Sequence, residues 1–243
     1  MLRFVNKKEL WKLYDSGVGD ILGKAPFSSY QLKSAQDIIA MGALKDLSGK
    51  KIAEVGGGDS RLLPYLASAN EVFNIDPSEG ADNGPVRPAK QKGVQNILCN
   101  IGDSEHIIED ESYDMLFSIS VVEHVNNDLL DSFFKDCHRI LKPGGEMIHL
   151  IDIYVGTSEL SENAYFEQRH KSYTEVFHHT DRGHVNFSSV STRSNSIDDF
   201  CFRPEFATNP DSVMYAWRSI APDLHEVRER AQLCTLLMHV AKI

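Results

Sequence analysis

Lys51-Ile-Ala-Glu-Val-Gly-Gly-Gly-Asp-Ser60 is a short apolar run ending in three glycines, and Phe73-Asn-Ile-Asp76-Pro77 follows, its acid twenty residues after the first glycine. The pair reads as a buried strand, a glycine turn, a helix start and a second strand closed by a carboxylate. A glycine turn lets the backbone approach a ligand that a side chain would block. An acid at the end of the next strand can accept hydrogen bonds from both hydroxyls of a ribose. The arrangement suits an adenosine-bearing cofactor, with Asp76 as the ribose candidate.

A dinucleotide fold uses the same two elements, so further detail has to separate the cofactors. A dinucleotide fingerprint wants a third glycine where helix and strand pack closely, and Arg61 stands there. Glu54, two residues before the first glycine, sets a carboxylate where a pyrophosphate is repelled and a cationic, amino-acid-bearing sulfonium is not. The later stretches Asp114-Met-Leu-Phe-Ser-Ile-Ser-Val-Val-Glu-His124-Val125 and Arg139-Ile-Leu-Lys-Pro-Gly-Gly145 point the same way.

Outward from this core, strands and helices alternate. Val94–Leu98, Tyr113–Val121 and Glu146–Ile153 read as further strands, and Ser60–Leu66 as a helix with Pro64 tolerated in its first turns. Asn127–Leu141 carries Leu129, Leu130, Phe133, Phe134, Cys137, Ile140 and Leu141 at helical spacing, and Pro143-Gly144-Gly145 is its stop signal. Such alternation predicts an α/β, Rossmann-like, doubly wound parallel sheet. Upstream, residues 1–48 read as helical, without strand-like alternation, with stripes at Leu10, Trp11, Leu13, Tyr14 and at Ile38, Ile39, Met41, Leu44.

Downstream, residues 156–208 are polar and rich in His and Ser, Pro210–Ile220 reads as a helix entered through Asn209, and Leu233–Ile243 as a final strand. We read one domain over 1–243. It has a helical cover over 1–48, a cofactor core over 49–153, a lid over 154–208, and a C-terminal helix and strand over 209–243.

The motifs together resemble those of the class I S-adenosylmethionine-dependent methyltransferases, especially the group acting on small molecules. Glu54-Val-Gly-Gly-Gly58 is similar to that family's first motif and Ile75-Asp76 to its acidic ribose motif; Gly102-Asp103-Ser104 falls at its acidic turn by the adenine. Tyr113 through Val125 is similar to the fourth motif, and Leu141-Lys-Pro-Gly-Gly145 to the turn before the fifth strand. Gly57 and Asp59 depart from residues common in the first motif. The resemblance covers Lys50 to Ile153. It implies a seven-stranded sheet whose last strand is antiparallel, with S-adenosyl-L-methionine across the C-terminal ends of the first, second and fourth strands. On that basis Gly56, Gly57 and Gly58 meet the methionine portion, Glu54 its ammonium, Asp76 with Pro77 the ribose, Asp103 the adenine amino group, and Ser120 the cofactor side of the fourth strand.

Methyl transfer is an in-line displacement in which the protein aligns a nucleophile and excludes water. A hydroxyl nucleophile also needs a base. His124, after the fourth strand on the expected methyl edge, is the first candidate, although Glu123 and His124 can equally brace the helix entry. Asp152 and His149, just after and on the fifth strand, are the others; His149 alternates with Ile148 and Leu150 and also suits a core.

His170, His178, His179 and His184, with Asp181, fit a polar lid better than a metal site, since their spacing matches no tight ligand motif. No metal is expected. Tyr165, Phe166, Tyr173 and Phe177 can line a substrate pocket or hold the lid down. The predicted function is methylation of a small-molecule hydroxyl, such as that of a sugar or another secondary metabolite. Alternatives are N-methylation of a small amine, a catalytically inactive cofactor-binding regulatory subunit, and a nicotinamide oxidoreductase.

Composition agrees with a globular enzyme: 243 residues, 42% hydrophobic and 25% charged. The net charge of −10 makes nucleic acid a poor substrate. No apolar run reaches the roughly 18–20 residues of a membrane span, and no secretory leader is evident, so a cytoplasmic location is expected. Four scattered cysteines, Cys99, Cys137, Cys201 and Cys234, read as small apolar groups in a reducing compartment.

Overall fold

The chain enters the sheet at once. In the computed structural model, which describes residues 2–5, 7–23, 32–80, 84–155 and 232–242, Leu2–Phe4 forms strand β1. Helices α1 (Lys7–Asp15), α2 (Val18–Ile21) and α3 (Leu32–Leu44) follow, then β2 (Lys51–Val55), α4 (Leu63–Leu66), β3 (Glu71–Ile75) and β4 (Val94–Ile97). β5 (Tyr113–Ile119), α5 (Leu130–Ile140), β6 (Leu141–Val155) and β7 (Gln232–Ala241) complete the order. The seven strands lie in the order β1-β7-β6-β5-β2-β3-β4. Those from β2 to β6 pair in parallel, and β7 runs antiparallel to both β6 and β1.

The predicted doubly wound sheet with an antiparallel final strand is therefore present. One of its edges departs from the sequence reading, which placed no strand before residue 48. β1 pairs Leu2 with Met238 and Phe4 with Leu236, and the Val5 amide continues the ladder to the Thr235 carbonyl at 2.9 Å. Three residues are too few to show alternation, and pairing with β7 is what makes them a strand.

Helices cover both faces. Phe133, Phe134, Cys137 and Ile140 of α5 pack on Tyr113, Met147 and Ile151. On the other face Leu10, Ile38, Met41 and Leu44 meet Ile52, Phe117, Leu150 and Leu237. Each fully buried aliphatic side chain contributes about 1.5–3 kcal/mol. Among the described residues, no helix is long and apolar enough to cross a membrane.

Two element boundaries differ for local reasons. The helix expected from Ser60 begins only at Leu63, with Leu62 at its N-cap, and the Ser60 hydroxyl accepts the Leu62 and Leu63 amides at 3.2 and 3.0 Å in the turn that precedes it. The helix expected to run to Leu141 ends at Ile140, where Leu141 is already extended. Pro143-Gly144-Gly145 then forms a bulge inside β6, between the pairs Tyr113↔Leu141 and Met115↔Glu146. Residues 154 and 155, expected to open the lid, continue β6 instead, and the rest of the lid and the expected helix at Pro210–Ile220 lie outside the described residues.

Candidate cofactor cleft

The C-terminal ends of β2, β3 and β5 open onto a cleft of about 530 Å³. That is the position where open α/β sheets take ligands. Val55 and Gly56 enter it from β2, Ile75, Asp76 and Pro77 from β3, and Ser120, Val121 and His124 from β5. Asn100, Ile101 and Phe133 form a further wall, and Lys33 and Glu79 also line it.

The glycine turn is built to be tight. Gly56 has φ +66°, its amide donates to the Ile75 carbonyl at 2.8 Å, and a Cβ there would stand 2.7 Å from the Val121 side chain. Only glycine meets both conditions. Asn74 braces the turn from below, accepting from the Gly57 amide at 3.1 Å and donating to the Gly58 carbonyl at 2.9 Å. Asn74 was not among the residues singled out from sequence; an amide in the middle of an apolar strand was its signal.

Asp76 is buried yet lines the cleft. Its Oδ2 accepts from the Gly58 amide at 3.0 Å, and its Oδ1 from the Ser78 amide at 2.7 Å. The carboxylate, whose Oδ1 also accepts from the Ser78 hydroxyl at a longer 3.3 Å, is thus fixed before any ligand arrives and keeps lone-pair capacity chiefly on Oδ2. Ser78 and Ser120 both hold left-handed backbone, φ 54° and 53°, at the cleft. Such strain in non-glycine residues concentrates at functional sites.

A second polar cluster joins α3 to the sheet. Asp152 Oδ1 accepts from Gln36 Nε2 at 2.7 Å and from Ser120 Oγ at 2.7 Å, while Ser120 Oγ lies 2.8 Å from Gln36 Oε1. Gln36 is fully buried. Close by, burial and then the charge of Asp152 push Glu123 well above the usual carboxylate range. Lys33 and Gln36, also unmarked by the sequence reading, belong to a helix whose apolar stripe advertised packing only.

His124 is exposed and lines the cleft, as does Ser120. His149 does not. It faces α5, its ring centroid 5.5 Å from that of Phe134 and 5.8 Å from that of Phe133, with Nδ1 2.8 Å from Ser118 Oγ. Burial pulls its pKa down to about 4 and keeps it neutral. The geometry removes His149 from the candidate bases and makes it a core residue. Asp103 is exposed and stands outside the cleft lining, which takes Asn100 and Ile101 from that loop instead. Gly57, Gly58, Glu54 and Asp152 are not among the residues that line the cleft.

Glu54 is fully buried and accepts a short hydrogen bond from Ser60 Oγ. Burial, only partly offset by Ser60 and Arg61, raises its pKa from the ordinary 4.5 to about 7. Folding therefore takes up a proton at Glu54 between these values, and stability from this group is complete below about pH 4.5 and lost as pH rises through about 7. Glu54→Gln should then be more stable than the wild type at pH 8 by up to about 3 kcal/mol, the gap closing towards pH 5. Thermal melts at the two pH values check this; a gap independent of pH contradicts it.

The residues fit an adenosine-bearing sulfonium better than a pyrophosphate. The amides at the start of α4 are taken by Ser60 Oγ, and Arg61 is held in a two-pronged pair with buried Asp37 at 2.7 and 2.8 Å. The amides are thus not open to a phosphate, and Arg61 is already paired with a carboxylate. The cleft instead offers Asp76 and Glu79 beside apolar walls. Among the described residues no group of three or more His, Cys, Asp or Glu is placed to hold a metal. The histidine cluster from His170 to His184, Asp181 and the aromatics Tyr165, Phe166, Tyr173 and Phe177 lie outside them.

The methyltransferase domain family matches residues 53–149. The matched segment spans the strands that frame the cleft, and fold and cleft are similar to those of the class I S-adenosylmethionine-dependent methyltransferases. Among individual relatives, the mitochondrial ubiquinone biosynthesis O-methyltransferase of Rattus norvegicus is 36% identical over 112 residues, 42% of this chain and 31% of the relative. Phosphoethanolamine N-methyltransferase 1 of Triticum aestivum is 23% identical over 185 residues, 73% of this chain and 36% of that protein. These matches span about a third of the relatives' own length. Phosphoethanolamine N-methyltransferase 2 of Haemonchus contortus, solved with S-adenosyl-L-methionine, shares the fold with a TM-score of 0.53 at 16% identity, covering 97% of this chain and 57% of that one.

Proposed function

We propose that the chain is an enzyme that transfers a methyl group from S-adenosyl-L-methionine to the hydroxyl of a small molecule. The observation that carries this reading is the cleft at the ends of β2, β3 and β5, with the pre-oriented Asp76 carboxylate on one side and Ser120 and His124 on the other. Bound there, the cofactor supplies a methyl group activated on a sulfonium. Asp76 accepts hydrogen bonds from the ribose hydroxyls, and Ile101, Phe133 and Pro77 exclude water around the nucleoside. The Gly56 turn approaches the methionine portion, with buried Glu54 behind it for its ammonium. His124 takes the acceptor's proton. Ser120, held by Asp152 and Gln36, orients the acceptor.

An oxygen acceptor is supported by the similarity to the rat ubiquinone biosynthesis O-methyltransferase. A small amine is the second reading. The wheat N-methyltransferase match extends over 73% of the chain, and the Asp152 carboxylate beside Ser120 favours a cation. Incubation with methyl-labelled cofactor and panels of hydroxyl and amine acceptors decides between them. Label on neither panel, with cofactor bound, supports a regulatory subunit.

Asp152→Asn should leave cofactor affinity unchanged and lower turnover by about tenfold, because the amide cannot accept from Ser120 and Gln36 in the same way. Steady-state kinetics beside a binding titration measure both. Unaltered turnover removes Asp152 from the acceptor side.

A further inference from the structure

We infer that Asp136 is a positioning residue for the nucleoside end of the cleft, fixing the wall against which the adenine lies without touching it. The inference rests on the cofactor reading above and adds a determinant of its affinity. Asp136 sits on α5 and is nearly wholly buried. Its Oδ2 accepts from the Gly102 amide at 2.7 Å, the Ser104 amide at 3.3 Å and the Ser104 hydroxyl at 2.7 Å. Its Oδ1 accepts from Arg139 Nε at 2.9 Å and Nη2 at 2.7 Å. A carboxylate with that many donors has no capacity left for a ligand. Burial alone would raise its pKa, but Ser104, Gly102 and Arg139 outweigh burial and hold it below the usual range.

Arg139 extends the clasp to the far end of the same loop, donating from Nη1 to the Ile108 carbonyl at 2.8 Å and to Asp110 Oδ1 at 2.6 Å. The loop between β4 and β5 is thereby pinned to α5 at two places. Gly102 brings it close: with φ +105°, a Cβ there would lie 3.2 Å from Ser132 Oγ and 3.3 Å from the Phe133 amide nitrogen. The three residues just before Gly102, namely Cys99, Asn100 and Ile101, line the cleft, as does Phe133 of α5. The loop is also tied to the ribose carboxylate, because the Asp76 amide donates to the Ile97 carbonyl at 3.0 Å. One buried charge thus sets the relative position of two segments that face the nucleobase.

Asparagine at 136 presents one acceptor oxygen and a donating amide to a group of donors, so the loop loses its clasp. We expect Asp136→Asn to weaken S-adenosylhomocysteine by about tenfold, the equivalent of one lost hydrogen bond. S-ribosylhomocysteine, which lacks the nucleobase, should bind wild type and variant alike. Amide exchange in the unliganded variant should accelerate at residues 99–104 and not in β2 or β3. Equal loss for both ligands, or none for either, overturns the inference. Should Asp136→Asn fail to fold, Ser104→Ala removes one donor and must shift the two ligands unequally in the same sense. Wild-type protein that binds neither ligand overturns the cofactor reading itself, and this inference with it.

Discussion

Asp76→Ala is expected to weaken S-adenosylhomocysteine binding by roughly a hundredfold, about 3 kcal/mol. The carboxylate is proposed to accept from two ribose hydroxyls, and each hydrogen bond to a charged group contributes about 1.5–3 kcal/mol. It also holds the Gly58 and Ser78 amides, so its removal loosens the glycine turn and the strained Ser78 together. The loss should appear in calorimetry, and Asp76→Asn should recover part of it by restoring one acceptor. Affinity unchanged in a folded Asp76→Ala protein takes Asp76 away from the ribose.

His124→Ala should leave cofactor binding intact and lower kcat by roughly 10²–10⁴ if the imidazole removes the acceptor's proton. The side chain is exposed at the cleft, so truncation creates no cavity in the core. The pH–rate profile should lose its acid limb in the variant, a change that a bracing role at the helix entry does not produce. A mild effect on kcat with an unaltered profile returns His124, with Glu123, to bracing.

The glycine turn, Asp76 and the strand-helix alternation were legible in the sequence because each is a local pattern with a local cause. What escaped reading depends on residues far apart in the chain. Gln36 meets Asp152 across 116 positions, and nothing in the apolar stripe of α3 hints at it. His149 shows the limit of alternation: a central parallel strand is buried on both faces, so periodicity does not tell which face meets the cleft. Asp103 was placed by the resemblance of Gly102-Asp103-Ser104 to an acidic turn by the adenine, whereas the cleft is lined by Asn100 and Ile101 from that loop instead. Asp136 carried a signal that can be read in hindsight. An acid between Phe133 and Cys137 lies close to the apolar face of α5, where a charge needs partners. β1 is the opposite case, a strand with no pattern of its own that exists because β7 offers an edge.

The most direct test of the central claim is calorimetric titration of the protein with S-adenosylhomocysteine, with NAD run in parallel. The account predicts micromolar binding of S-adenosylhomocysteine and none of NAD. A clear NAD isotherm without S-adenosylhomocysteine binding contradicts it and moves the chain to nicotinamide chemistry.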